Sequence, residues 1–202
     1  MKQIKLLLLS AILLFPGIAD AGKLTKGERA FLINFLEQTQ KTLLATIEEV
    51  DDELWNYKPD ETSWTVAGCF EHILFAEAQL TKKIMEKMIT GTPDPDLNLS
   101  VNDGLVISRL SDRSNKVKTP PPFEPNGRWS TKQEMIDELN RSRAYLVNYI
   151  KSTKDDLRAF MSKSPVGEVD AYQHFLIVGG HGLRHTMQMK DIISQYQALA
   201  TN

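Results

Sequence analysis

Four stretches of this chain repeat their apolar residues every three to four positions, and almost none alternates them, which dictates an all-α fold. The first helix is expected from Thr25, whose spacing to Glu28 is that of a capping box. Its apolar stripe is Leu32, Phe35, Leu36, Leu43, Ile47 and Val50, and the helix itself is expected to end at the acidic stretch Glu48 to Glu53. After a connector at Leu54 to Pro59, a second helix is expected from Ser63-Trp64 to about Ile89, where Gly91 and Pro93 stop it. A third opens at Ser130, with Gln133 as its box partner, and runs to Ser152 or Thr153. The fourth takes Asp170 as its N-cap, with Gln173 three residues on, and continues to about Gln197. Gly179, Gly180 and Gly182 fall inside that last helix and predict either close approach of a neighbour, a kink, or a break into two shorter helices. Residues 92–129, rich in Pro, Asn, Asp and Ser, form a long loop between helices two and three, with one short helical candidate at Asn102 to Leu110. Pro120, Pro121, Pro122 and Pro125 stiffen its return, favouring a packed flap.

The start of the chain reads differently. Lys2 and Lys5 precede an apolar run from Leu6 to Phe15, Pro16 and Gly17 break it, and Ala19-Asp20-Ala21 offers a small-residue cleavage site. Residues 1–21 are therefore expected to be a signal peptide. A run this short spans a hydrocarbon core of about 30 Å poorly, so the expectation is an exported, periplasmic or secreted protein without stable membrane association after cleavage. The remaining 22–202 is expected to be one bundle domain. With 24 basic and 26 acidic residues interspersed, nothing resembles a phosphate-binding face, and nucleic acid is not an expected partner; a homodimer is compatible with this composition. Cys69 is the only cysteine, so no intramolecular disulfide can support the fold.

The chemistry is concentrated in four histidines, three of which, His174, His181 and His185, fall within twelve residues. His181 and His185, four apart on a helix, share one face about one turn apart, close enough to ligate one ion. Alone this is a weak signal, because surface histidines meet that spacing often. His72, midway along helix two beside the row Thr65, Cys69, Ala76 and Gln79, is the natural third ligand. His174 shares the face but lies roughly 10 Å up the axis, out of reach of the same ion, and is a candidate acid or base or a satisfied core residue. Gln188 is placed to bond a ligating imidazole or a water near the ion, or is an ordinary half-exposed glutamine. Arg184 is expected to pair with an acidic neighbour on another helix. Cys69 is read as a small buried residue, and Trp55, Trp64 and Trp129 as core or loop anchors. Glu71 and Glu77 are the remaining candidate bases.

Lys58-Pro59, then Ser63-Trp64-Thr65-Val66 and Glu71-His72-Ile73, resemble the second-helix signature of the DinB-like family. Gly180 to Gln188, reading G-H-G-L-R-H-T-M-Q, resembles its closing H-x-x-R-H-x-x-Q motif. The resemblance runs from Thr25 to about Gln195. It implies an up-down-down-up four-helix bundle holding one divalent metal ion, often zinc or nickel, on His72, His181 and His185. It also implies two kinds of chemistry, metal-dependent hydrolysis and transfer or isomerisation with low-molecular-weight thiols. Three neutral imidazoles leave the ion its full charge and an open position, which suits catalysis on a small-molecule substrate. Such thiols are scarcer and oxidised outside the cytoplasm, so hydrolase is the first expectation, thiol S-transferase the second, and a non-enzymatic metal or small-ligand binding protein the third.

Overall fold

The computed structural model describes residues 23–114 and 118–200; the expected signal peptide, residues 1–21, lies outside them. Four long helices dominate: α1 (Lys26–Ile47), α3 (Val66–Thr90), α5 (Lys132–Ser152) and α6 (Ala171–Ala200). Shorter pieces join them, namely α2 (Asp52–Asn56), α4 (Asp103–Ser111) and a hairpin of β1 (Met161–Ser164) and β2 (Gly167–Asp170). α6 is the central element, packed against α1, α3 and α4, while α5 packs against α1 and α3. The architecture is the expected all-α one, with a long connection between α3 and α5.

Local chemistry explains the helix starts. The Thr25 hydroxyl accepts from Glu28 N and the Glu28 carboxylate accepts from Thr25 N, a complete capping box. Asp170 and Gln173 reciprocate in the same way at the head of α6. Two starts differ from expectation. α3 begins at Val66, because the Thr65 hydroxyl accepts from Gly68 N, and not at Ser63-Trp64. α5 is capped by Thr131 with Glu134, one residue after the predicted Ser130 and Gln133. The connector at 54–59 contains the end of α2, capped by Asp51, which was not predicted. Nor was the hairpin: its strands are four residues each and mostly polar, so they carry no alternating signal. Its two-residue turn, Pro165-Val166, is followed by Gly167 at φ 115°, a conformation side chains other than glycine's rarely adopt.

The three glycines of α6 mark close approach inside an unbroken helix. A Cβ on Gly179 would stand 2.8 Å from the Phe35 ring, on Gly180 2.9 Å from Leu110, and on Gly182 2.9 Å from Glu77 Oε1. Gly182 makes room for a buried polar hub: Arg143 on α5 donates twice to Glu77 on α3, at 2.9 and 2.5 Å, and also to the Leu36 carbonyl and Thr39 hydroxyl on α1. At the other end, Arg158 clasps Glu28, Asp103 and Asp170, so one guanidinium ties together the first turns of α1, α4 and α6.

Candidate metal centre

α3 and α6 bring together His72, His181 and His185 from positions more than a hundred residues apart. One ring nitrogen of each lies within 4.8 Å of the others, forming the group among the described residues best suited to hold a metal ion. His72 Nε2 and His181 Nε2 are 3.2 Å apart, and the three ring centroids are separated by 4.5 to 5.0 Å.

Hydrogen bonds decide which nitrogen each ring offers. His72 Nδ1 lies 2.8 Å from the Phe123 carbonyl, which can only accept, so Nδ1 carries the proton and Nε2 a lone pair. His185 Nδ1 likewise donates to Gln188 Oε1 at 2.9 Å. Burial first, then the Arg128 charge, lowers the pKa of His72, against the pull of the Phe123 carbonyl. Burial and the neighbouring imidazoles push His181 well below the ordinary histidine range and His185 down to about 3. All three rings are thus neutral and ligand-ready near pH 7.

The donor set fits a cation. Two nitrogens 3.2 Å apart, one of them fixed as a lone pair, need a proton or a cation between them. Metal–nitrogen bonds of about 2.0 to 2.1 Å set tetrahedral donors about 3.3 to 3.4 Å apart, close to the 3.2 Å between His72 Nε2 and His181 Nε2. His181 Nδ1 is buried and has no hydrogen-bond partner among the described residues, which give the other two rings an outer support.

Trp64 forms a wall of the site, its ring 4.8 Å from that of His72 and 6.0 Å from that of His185. Reading it as a simple anchor missed this, although its place directly before the Thr65 cap puts it just ahead of the first turn of α3, eight residues and about two turns before His72. The other candidate residues are engaged elsewhere. Glu71 spends its carboxylate on Asn126 N, Gly127 N, Arg128 N and the Arg128 guanidinium. Glu77 is locked to Arg143; burial pushes its pKa up against that pairing. Burial also pushes the Cys69 thiol up to about 12, so it stays protonated and inert, and it is not in the histidine group. Arg184 donates to the main-chain carbonyl of Asp112, an acidic residue at the end of α4. Two surface grooves, of about 850 Å³ between α1 and α5 and about 470 Å³ between α3 and α5, open away from the histidines.

His174 stands apart, fully buried, with Nδ1 3.3 Å from Ser162 Oγ of the hairpin. Burial, then the Lys83 charge, pushes its pKa down to about 4. The unfolded chain therefore takes up this proton from about pH 6.5 downward while the fold resists it until about 4, so His174 makes stability fall as the pH drops through that window. The loss should approach 3 kcal/mol, at about 1.36 kcal/mol per unit. Denaturant titrations of wild type and His174→Gln at pH 7 and pH 4.5 are expected to show a shallower acid loss in the variant; equal losses would remove His174 from this role.

A family model described as the DinB superfamily matches residues 36–189, a span containing all three clustered histidines and Gln188. The chain belongs to the DinB superfamily. Among curated proteins it is similar to the uncharacterized protein YuaE of Bacillus subtilis (strain 168), 26% identical over 144 residues, covering 71% of this chain and 85% of the relative. No solved structure matches it. Membership of the DinB superfamily thus agrees with the helical architecture and with a histidine group drawn from α3 and α6.

Proposed function

We propose that His72, His181 and His185 hold one divalent ion, zinc or nickel, and that the protein is an exported metal-dependent hydrolase of a small molecule. The observation that carries this reading is the convergence of three neutral imidazoles, two with Nδ1 protons committed elsewhere so that Nε2 faces the shared centre. When bound, such an ion supplies Lewis acidity that activates water toward a carbonyl or phosphoryl group. The chain's own residues do the rest. The Phe123 carbonyl and Gln188 orient two rings, and Trp64 shields one side of the site from bulk water. Glu71 and Glu77 are committed to arginines, so the reading assigns neither as general base. The export half rests on the basic start, apolar run and Ala19-Asp20-Ala21 of the sequence.

One preparation tests both halves. Protein isolated from its native host is expected to have an intact mass beginning at or near Gly22; a retained Met1 with membrane association would end the export claim. The same protein, metal-loaded, is expected to turn over members of a panel of small esters, amides and phosphoesters without added thiol, and to be inhibited by low-molecular-weight thiol. Consumption of electrophiles that requires thiol would replace hydrolysis by S-transfer. Ligand binding with no turnover in any arm would leave a binding protein.

A further inference from the structure

We propose that Glu71 is a positioning residue, holding the 118–129 return segment so that the Phe123 carbonyl keeps the Nδ1 proton of His72. The value of this for ion binding rests on the metal reading above, whereas the ring orientation itself does not.

The segment cannot hold itself in place. Four of its residues, Pro120, Pro121, Pro122 and Pro125, have no N–H to donate, and its own regular structure is a single 3-10 turn at Pro121–Phe123. Its attachment next to the site is the Glu71 carboxylate, which accepts from three successive main-chain N–H groups, those of Asn126 at 2.9 Å, Gly127 at 3.0 Å and Arg128 at 3.1 Å. Gly127 adopts φ 77°, which lets three consecutive N–H groups converge on one carboxylate. Burial alone would raise the pKa of this carboxyl, but these donors and the Arg128 guanidinium hold it below the ordinary range, so it is ionised at neutral pH.

From Glu71 the hold passes to Phe123 through one side chain. Arg128 Nη1 bonds both Glu71 Oε1 and the Glu124 carbonyl, and Nη2 bonds the Pro122 carbonyl, each at 3.1 Å. The carbonyls immediately before and after that of Phe123 are thereby bracketed. The guanidinium also lies 3.9 Å over the Phe75 ring, which meets the Phe123 ring edge-on at 5.6 Å. The carbonyl between those brackets is the one that takes the His72 proton. Glu71 and His72 are adjacent on α3, so one turn of helix holds both the anchor and the ring it serves.

Glu71→Gln keeps the shape but removes the charge and turns an amide NH₂ toward donors. Nitrogen NMR of the metal-free protein reads each histidine tautomer directly. In wild type, His72 and His185 are both expected in the Nδ1–H form. In Glu71→Gln, His72 is expected to become a mixture of tautomers while His185, supported by Gln188, is unchanged. Arg128→Met, which cuts the bracket and leaves the carboxylate, is expected to act in the same direction and decides the matter if Glu71→Gln fails to fold. Retention of the His72 Nδ1–H form in the folded variants would overturn the proposal, as would equal disturbance of His185, which would mean general loosening. On the same samples, Ni²⁺ affinity is expected to fall by about 10 to 100 fold, the usual cost of losing an outer-shell partner. If wild type binds no Ni²⁺ while the tautomer changes as described, the metal reading fails and the positioning role stands.

Discussion

Replacing His181 by alanine is expected to reduce metal content from one ion per chain to near zero, with an affinity loss exceeding the roughly 100-fold cost of an outer-shell change. His181 has the most direct part in the cluster: its Nε2 faces that of His72, and the sequence also sets it one turn from His185. His72→Ala and His185→Ala are expected to behave alike, and His174→Ala to keep its ion, because His174 lies outside the group. Chelation of wild type should lower stability by about 2.7 kcal/mol when free metal stands at 100 times its dissociation constant. For a chain of this size that corresponds to about 5 to 11 °C in Tm. Elemental analysis and thermal melts of the four variants check this; full occupancy in the His72, His181 and His185 variants would discard the site.

The second large effect is expected at Arg143, whose side chain is 1% exposed and whose partner Glu77 is equally enclosed. Arg143→Met leaves a carboxylate without its counter-charge inside the bundle and is expected to cost about 3 to 5 kcal/mol. The double variant Arg143→Met with Glu77→Leu is expected to recover most of that loss, since removing both partners of a buried pair is often neutral. Chemical denaturation of both proteins gives the answer. A double variant as unstable as the single one would show that the hub works through its bonds to Leu36 and Thr39 rather than through the ion pair.

Much of this molecule was readable from the chain because helices advertise themselves locally. Thr25 with Glu28 and Asp170 with Gln173 announce two starts through side chains a few residues apart. The histidine pair of α6 is legible from its spacing, and His72 because so few histidines are available to complete the set. Main-chain groups are what sequence conceals. The Phe123 carbonyl that orients His72, and the three N–H groups that occupy Glu71, belong to no residue type in particular. Asn126-Gly127 is a dipeptide of the turn-forming kind, but its composition does not say what the turn grasps. Arg143 was hidden for another reason: it stands in line with Met135, Leu139, Leu146 and Ile150 on the apolar face of α5, and a charged residue there finds its partner only when Glu77 meets it across the bundle. The hairpin stayed invisible because its strands are held by the turn and by β1–β2 pairing rather than by an apolar face.

The crowding along α6 also sets a mechanical limit. Within a single turn, Gly179 abuts α1, Gly180 abuts α4 and Gly182 abuts the Glu77–Arg143 pair, so three contacts fix the helix in three directions. Sliding it along one neighbour to relieve a larger side chain drives it into another. A one-turn slip would move His181 and His185 about 5.4 Å past His72, more than the whole 3.2 Å gap between the facing nitrogens. The glycines therefore act as a registry lock, and the height at which the three imidazoles meet is determined by packing all around the helix that carries two of them.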